Sequence, residues 1–287
     1  MVLVSVKSIK GRRSYMEDRY SYFEKNGTII SFVCDGHGGY TTAERTVKEL
    51  TQILYENLLL YDESDIKSNI NQSLVIRNTI NNWGIEVKEY NRKNDDHSGT
   101  TLTGFVSRDN TVYIFNVGDS RTCVLLKPSS HVYKLPAQYD YNGNFMDKTV
   151  VNYTETNFFV TEDHDPLNKT ELERIFNANG KIFDERLNGI LSLTRAIGDI
   201  DIGKGLSFVP DMYWIKKDDI LGPVIMFSDG LYEPGRYMTP GKGKKVNVNF
   251  SNIHLYYLAK KNAKELVDYA YENGSEDNLT VLVVSVK

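Results

Sequence analysis

Four aspartates in this chain share one setting. Asp35 closes the run Ile29-Ile30-Ser31-Phe32-Val33-Cys34 and precedes Gly36-His37-Gly38-Gly39. Asp119 follows Phe115-Asn116-Val117 and a glycine, Asp229 closes Val224-Ile225-Met226-Phe227-Ser228 and precedes Gly230, and Asp277 stands with Asn278 before the run Leu279–Val286. A single short acid beside glycine at a strand end is ordinary turn chemistry. Several such acids converging on one place would repel one another unless cations neutralised them. An all-oxygen donor set suits hard ions such as Mg²⁺ or Mn²⁺, and no Cys or His spacing marks a structural zinc site. Near the N-terminus, Arg13, Glu17 and Asp18 add a guanidinium that can clamp phosphate oxygens and a further carboxylate for a metal. The chemistry that joins these groups is metal-assisted hydrolysis of a phosphate ester. Two cations roughly 3.5–4 Å apart can acidify a shared water, and the hydroxide attacks phosphorus in line.

The elements that must position these acids are legible in part. Short runs rich in β-branched and aromatic residues predict strands over Thr28–Cys34, Thr101–Ser107, Thr111–Val117, Arg121–Leu126, Val224–Phe227 and Leu279–Val286. Arg108-Asp109-Asn110 reads as a hairpin turn. A 3.6-residue period predicts helices through Ala43, Val47, Leu50, Leu54 and Leu58, and through Ile66, Ile70, Leu74 and Ile80 over 62–90. It also predicts one through Leu172, Ile175 and Phe176 ending at a glycine, Gly180, and one through Leu266, Val267, Ala270 and Tyr271 ending at Gly274. Helices in adjacent pairs, separated by blocks of strands, imply an α+β fold of antiparallel sheets with helices outside. The stretches 127–157 and 201–219 show no clean period.

The bulk numbers set limits. With 287 residues the chain is at the upper end for one core. An apolar fraction of 40% and a charged fraction of 25% are ordinary for a globular protein, and a net charge of −4 argues against nucleic acid as the main partner. Cys34 and Cys123 lie in apolar runs and read as buried thiols. The first residues carry no stretch resembling a signal peptide, and no run approaches the ~20 apolar residues of a membrane span. The expectation is a cytoplasmic monomer with no membrane partner, nuclear location remaining open.

Laid end to end, the motifs resemble a known family. Gly11-Arg12-Arg13…Met16-Glu17-Asp18, Asp35-Gly36-His37-Gly38-Gly39, Ser98-Gly99-Thr100-Thr101 and Asn116-Val117-Gly118-Asp119-Ser120-Arg121 are followed by Thr161-Glu162-Asp163-His164-Asp165-Pro166 and Arg186-Leu187-Asn188-Gly189. Leu191-Ser192-Leu193-Thr194-Arg195-Ala196-Ile197-Gly198-Asp199, Ser228-Asp229-Gly230 and Asp277-Asn278 complete the series. Each piece is weak alone, but in this order, over nearly the whole chain, they resemble the metal-dependent serine/threonine protein phosphatases of type 2C.

The resemblance implies a four-layer α-β-β-α sandwich of two antiparallel sheets flanked by helices, forming a single catalytic domain over 1–287. It implies an insertion at 127–157 and a flap within 181–219. It implies Mg²⁺ or Mn²⁺, two per site with a weaker third, and a phosphorylated protein as substrate. Asp35 would bridge both metals. Glu17 and the Gly36 carbonyl would complete one, Asp229 and Asp277 the other, and Asp119 with Asp229 would hold the third. Arg13 would bind phosphate, with Arg186 helping to orient substrate. His37 would protonate the leaving oxygen. Asp18, Thr100, Asp199 and Asn278 would support these groups. His164 matches a family motif and reads as structural.

Two departures stand out. The family's Ser-Asp-Gly-x-(Trp)-Asp reads Ser228-Asp229-Gly230-Leu231-Tyr232-Glu233 here, and Asp165 stands where lysine is usual. The extra methylene of Glu233 moves its carboxylate by about one C–C bond, roughly 1.5 Å. Two other readings share these residues: a pseudophosphatase acting as a binding module, and a two-metal enzyme for another phosphate ester. Pseudophosphatases usually lose metal acids, whereas this chain keeps Glu17, Asp35, Asp119, Asp229 and Asp277.

Overall fold

The structure, a computed structural model, describes residues 3–60, 69–135, 150–151, 157–233 and 251–286. In chain order, β1 (Val4–Ile9), β2 (Arg19–Lys25), β3 (Thr28–Cys34) and β4 (Gly36–His37) lead into α1 (Thr41–Leu60) and α2 (Asn69–Asn94). Then come β5 (Gly99–Thr100), β6 (Leu102–Arg108), β7 (Thr111–Val117), β8 (Arg121–Leu125), β9 (Val132–Lys134), β10 (Val150–Val151) and β11 (Phe158–Val160). After α3 (Lys169–Asn177) follow β12 (Ile182–Phe183), β13 (Arg186–Leu187), β14 (Ile197–Gly198), β15 (Asp211–Lys216) and β16 (Val224–Phe227). The helices α4 (Asn252–Lys261) and α5 (Ala263–Glu272) and the strand β17 (Leu279–Val284) close the chain. Among the described residues no helix is long and apolar enough to cross a membrane.

Two antiparallel sheets form the centre, a five-stranded sheet ordered β1-β17-β16-β8-β11 and a seven-stranded sheet ordered β10-β9-β15-β7-β6-β3-β2. The helices α1 and α2 cover the outer face of the larger sheet, and α4 and α5 that of the smaller. The expected four-layer α-β-β-α sandwich is therefore the observed fold. It explains why the central strands are continuously apolar: both faces of each sheet are buried, and alternate residues serve different cores. In β3, Ile30, Phe32 and Cys34 pack under α1 and α2, while Ile29 and Val33 enter the core between the sheets. In β17, Leu282 and Val284 face that inter-sheet core, and Leu279, Val281 and Val283 face α4 and α5. The α1 stripe Ala43, Leu50, Leu54 and Leu58 is buried as its period predicts. Truncating one of these leucines to alanine costs about 2–5 kcal/mol.

Several expectations change. The stretch 201–219 is not irregular throughout: β15 pairs with β7 along its whole length, from Asp211↔Asn116 to Lys216↔Thr111. The expected flap, 181–219, therefore includes a strand of the main sheet. The edge strands β1 and β2 escaped detection because neither keeps a clean apolar alternation: β1 reads Val-Ser-Val-Lys-Ser-Ile, and Arg19, Glu24 and Lys25 bound the short aromatic run of β2. Two described pieces of 127–157, β9 and β10, extend the larger sheet beside β15; residues 136–149 and 152–156 lie outside the described residues, as does Ile66. Phe176 and Tyr271 are exposed, at 60% and 39%, rather than on buried faces. At the end of α3 the left-handed residue is Asn179 (φ 58°), not Gly180. Gly180 is needed for another reason: a Cβ there would press on Ile175 and on the Lys204 carbonyl. Gly274 does adopt positive φ, at 100°, after α5.

Candidate active site

Strand register brings the acids together. Antiparallel pairing sets the end of β3 beside the start of β2 (Cys34↔Arg19). It also sets the start of β6 beside the end of β7 (Leu102↔Val117) and the end of β16 beside the start of β8 (Phe227↔Arg121). Glu17, Asp18, Asp35, Asp119 and Asp229 each flank one of these strand ends, and Asp277 precedes β17, which pairs with β16 (Phe227↔Val281), so all six fall on one rim of the sandwich. There a cavity of about 280 Å³ is lined by Arg13, Glu17, Asp35, Gly36, His37, Asp119, Asp229, Glu233 and Asp277, with Thr101 and Leu191, Ser192 and Leu193.

Backbone bonds fix the rim. The Asp35 N–H donates to Thr101 Oγ1 (3.0 Å), the Thr101 N–H returns a bond to the Asp35 carbonyl (2.9 Å), and Thr100 Oγ1 donates to that same carbonyl (3.1 Å). Asn278 ties the N-terminal loop to the other end of the chain. Its Nδ2 donates to the carbonyls of Lys10 (2.8 Å) and Tyr15 (2.9 Å), and its Oδ1 accepts the Glu17 N–H (2.8 Å). Glu17 Oε1 in turn accepts the Gly39 N–H at 2.6 Å. Gly230 has no room for a side chain, because a Cβ there would collide with the Asn278 carbonyl.

The charge balance of the rim is lopsided. Burial, then the nearby charges of Asp18, Asp229, Asp277 and Asp119, hold the Asp35 carboxyl well above the usual range. Burial likewise pushes Asp18 up to about 6, although Ser228 Oγ donates to its Oδ2 at 2.8 Å. The other oxygen of Asp18, and Oε2 of Glu233, are buried without a hydrogen-bond partner. Glu233 is also raised, by burial first and then by Asp277. One cation, Arg13, faces this group from the lining and pairs with Asp277 at 2.6 Å. Crowded hard-oxygen donors, two of them with orphaned atoms, fit a divalent cation by the chemistry of the set. Among the described residues no three His, Cys, Asp or Glu side chains form a ready-made cage for one ion. The engagement of Asp277 by Arg13 and of Glu17 by Gly39 is consistent with that.

His37 sits at the same rim on β4, which pairs with β5. Its Nε2 lies 2.9 Å from both carboxylate oxygens of Asp199, which follows β14. Burial opposes charge on His37, but Asp199, and then Asp119 and Glu17, outweigh it and raise the imidazole above its ordinary value. Gly99 makes this pairing possible, since a Cβ there would collide with both Asp199 and the imidazole.

Not every expected residue reaches the cavity. Arg186, on the small β12–β13 hairpin, is absent from the lining and donates to the Ile190 carbonyl at 2.8 Å. Thr100 supports Asp35 from behind, and its neighbour Thr101, which sequence reasoning missed, lines the cavity. A buried ionic cluster behind the site was missed too. Arg195 bonds to Glu171 Oε1 (2.6 Å) and Asp211 Oδ1 (3.0 Å), and Glu171 Oε2 also accepts from Arg174 (2.8 Å) and Thr194 (2.7 Å). Its residues lie in three distant segments, so no local signal marks it.

A family model described as Protein phosphatase 2C matches residues 2–279. "Protein phosphatase 1L" of Bos taurus is 28% identical over 301 residues, spanning 99% of this chain and 72% of that protein. "Probable protein phosphatase 2C 69" of Arabidopsis thaliana is 30% identical over 296 residues, spanning 96% and 68% of the respective chains. A solved structure described as "Structure of a C.elegans sex determining protein" matches the fold with a TM-score of 0.73 at 20% identity, covering 100% of this chain and 65% of that one.

Proposed function

The chain belongs to the protein phosphatase 2C family, and we propose that it hydrolyses phosphoserine and phosphothreonine in protein substrates. The family is generally Mg²⁺- or Mn²⁺-dependent. The observation that carries the reading is the convergence of Glu17, Asp35, Asp119, Asp229 and Asp277, from separate strand ends, on one cavity with Arg13 and His37.

Asp35, Glu17, the Gly36 carbonyl, Asp229 and Asp277 would hold two cations, and Asp119 with Asp229 a weaker third. When bound, the cations supply Lewis-acid polarisation of the phosphate oxygens and acidify a water for attack on phosphorus. Arg13, its side chain 54% exposed and bonded to Asp277, can turn its guanidinium to the phosphate oxygens. His37 delivers a proton to the leaving seryl or threonyl oxygen. With Nε2 engaged by Asp199, Nδ1 is the nitrogen that passes it. The stretch ahead of β15 serves as the flap, with Leu191, Ser192 and Leu193 walling the mouth and limiting water.

The test is phosphate release from a phosphothreonine peptide with and without Mn²⁺ or Mg²⁺, beside Asp229→Asn. Metal-dependent release that falls by about 100-fold or more in the variant is expected, the scale of removing one electrostatic contact to a charged transition state. A folded chain that releases no phosphate with either metal would refute the assignment and point to a binding module.

A further inference from the structure

On the footing that the acidic rim binds cations, we propose that Tyr232 is a positioning residue that sets the separation of Asp119 and Asp229. These two acids arrive on different turns, Asp119 between β7 and β8, and Asp229 in the single 3₁₀ turn Asp229–Leu231 after β16. Tyr232 touches both. Its backbone N–H donates to the Asp229 carbonyl at 2.9 Å, and its phenol donates to the Asp119 carbonyl at 2.7 Å. The side chain is a rigid strut between one turn and the other.

The strut is itself clamped. The Arg121 guanidinium lies 3.5 Å from the centroid of the Tyr232 ring. Arg121 is fixed in turn by two bonds to Asp163 (2.9 and 2.7 Å) and one to Asn252 Oδ1 (2.8 Å). Phe227 meets the ring edge-on, with centroids 6.3 Å apart. Tyr232 is 3% exposed, so its hydroxyl has little freedom to find another partner. A cation-π contact and an edge contact hold the ring through its face and rim, leaving the phenolic oxygen as the part that reports on Asp119. Groups one bond removed from metal ligands orient those ligands, and their loss typically weakens metal binding about 10–100-fold. Where the family pattern places tryptophan, an indole offers an N–H from a different point on a larger ring.

The experiment compares Tyr232→Phe with Tyr256→Phe. Tyr256 is also buried, and its hydroxyl donates to the Pro223 carbonyl at 3.2 Å in the core beneath α4, away from the acidic rim. Each variant keeps the ring and removes a buried hydroxyl that donates to a backbone carbonyl. Mn²⁺ binding is read by titration calorimetry, and thermal midpoints are read in EDTA. Both variants should melt about 2–4 °C lower, the scale of losing one buried hydrogen bond in a chain of this size. Tyr232→Phe alone should weaken Mn²⁺ binding, by about 10-fold or more. An isotherm for Tyr232→Phe that superimposes on wild type, or an equal loss in Tyr256→Phe, would overturn the positioning role. A wild-type chain that binds no Mn²⁺ would overturn the metal-dependent reading itself, and this inference with it.

Discussion

The buried cluster around Glu171 makes the chain sensitive to acid in a defined window. Glu171 is 1% exposed, and its two oxygens accept five hydrogen bonds, from Arg195 (3.0 and 2.6 Å), Arg174 (3.1 and 2.8 Å) and Thr194 (2.7 Å). Burial alone would raise its pKa, but Arg195 and then Arg174 overcome that and lower it from 4.5 to about 2. In the window between those values the unfolded chain binds a proton that the folded chain refuses. Stability therefore rises with pH there, is fully present above 4.5, and is lost as pH falls through about 2. At about 1.36 kcal/mol per tenfold change in proton affinity, the whole effect is about 3 kcal/mol, of which about 2 kcal/mol is gone at pH 3. The perturbation is Glu171→Gln, which removes the titration. The assay is urea unfolding of both proteins at pH 7 and pH 3, followed by the fluorescence of the buried Trp83 and Trp214. At pH 7 the variant should be less stable by about 3–5 kcal/mol, because two arginines lose their shared carboxylate. Between pH 7 and pH 3 it should lose about 2 kcal/mol less than wild type. Equal losses in the two proteins would refute the claim that Glu171 is held ionised by this cluster.

Two further outcomes follow from the rim. In EDTA at pH 7, Asp35→Asn should melt at least about 2 °C higher than wild type, since burial, and then the neighbouring acids, penalise the Asp35 charge in the metal-free chain; a lower midpoint would mean that the acids are not frustrated without cations. If His37 acts as the proton donor, kcat should decline as pH rises through its raised pKa, and Asp199→Asn should move that decline to lower pH by removing the partner that raises it. An unmoved alkaline limb in the pH profile would remove His37 from that role.

The sequence by itself carried the chemistry and much of the local structure. Acid type, glycine neighbours and position at the ends of apolar runs were enough to nominate Asp35, Asp119, Asp229 and Asp277, and the order of motifs pointed to the family. The strands Thr28–Cys34, Thr111–Val117 and Val224–Phe227 were legible to the residue, because strongly apolar runs bounded by turn residues need no tertiary information. Edge strands such as β1 and β2, whose mixed polar and apolar residues keep no clean alternation, were not.

Only the tertiary structure decided which of these residues meet. Sheet register put six acids on one rim, and it left Arg186 on a hairpin away from the cavity. It paired His37 with Asp199, 162 residues further on, and joined Asp119 to Tyr232 through a phenol no local pattern could assign. The physical reason is the same in each case. Backbone propensity and hydrophobic period are local, whereas a side-chain contact across the sandwich depends on which strands pair and in what register, and packing over the whole chain selects that register.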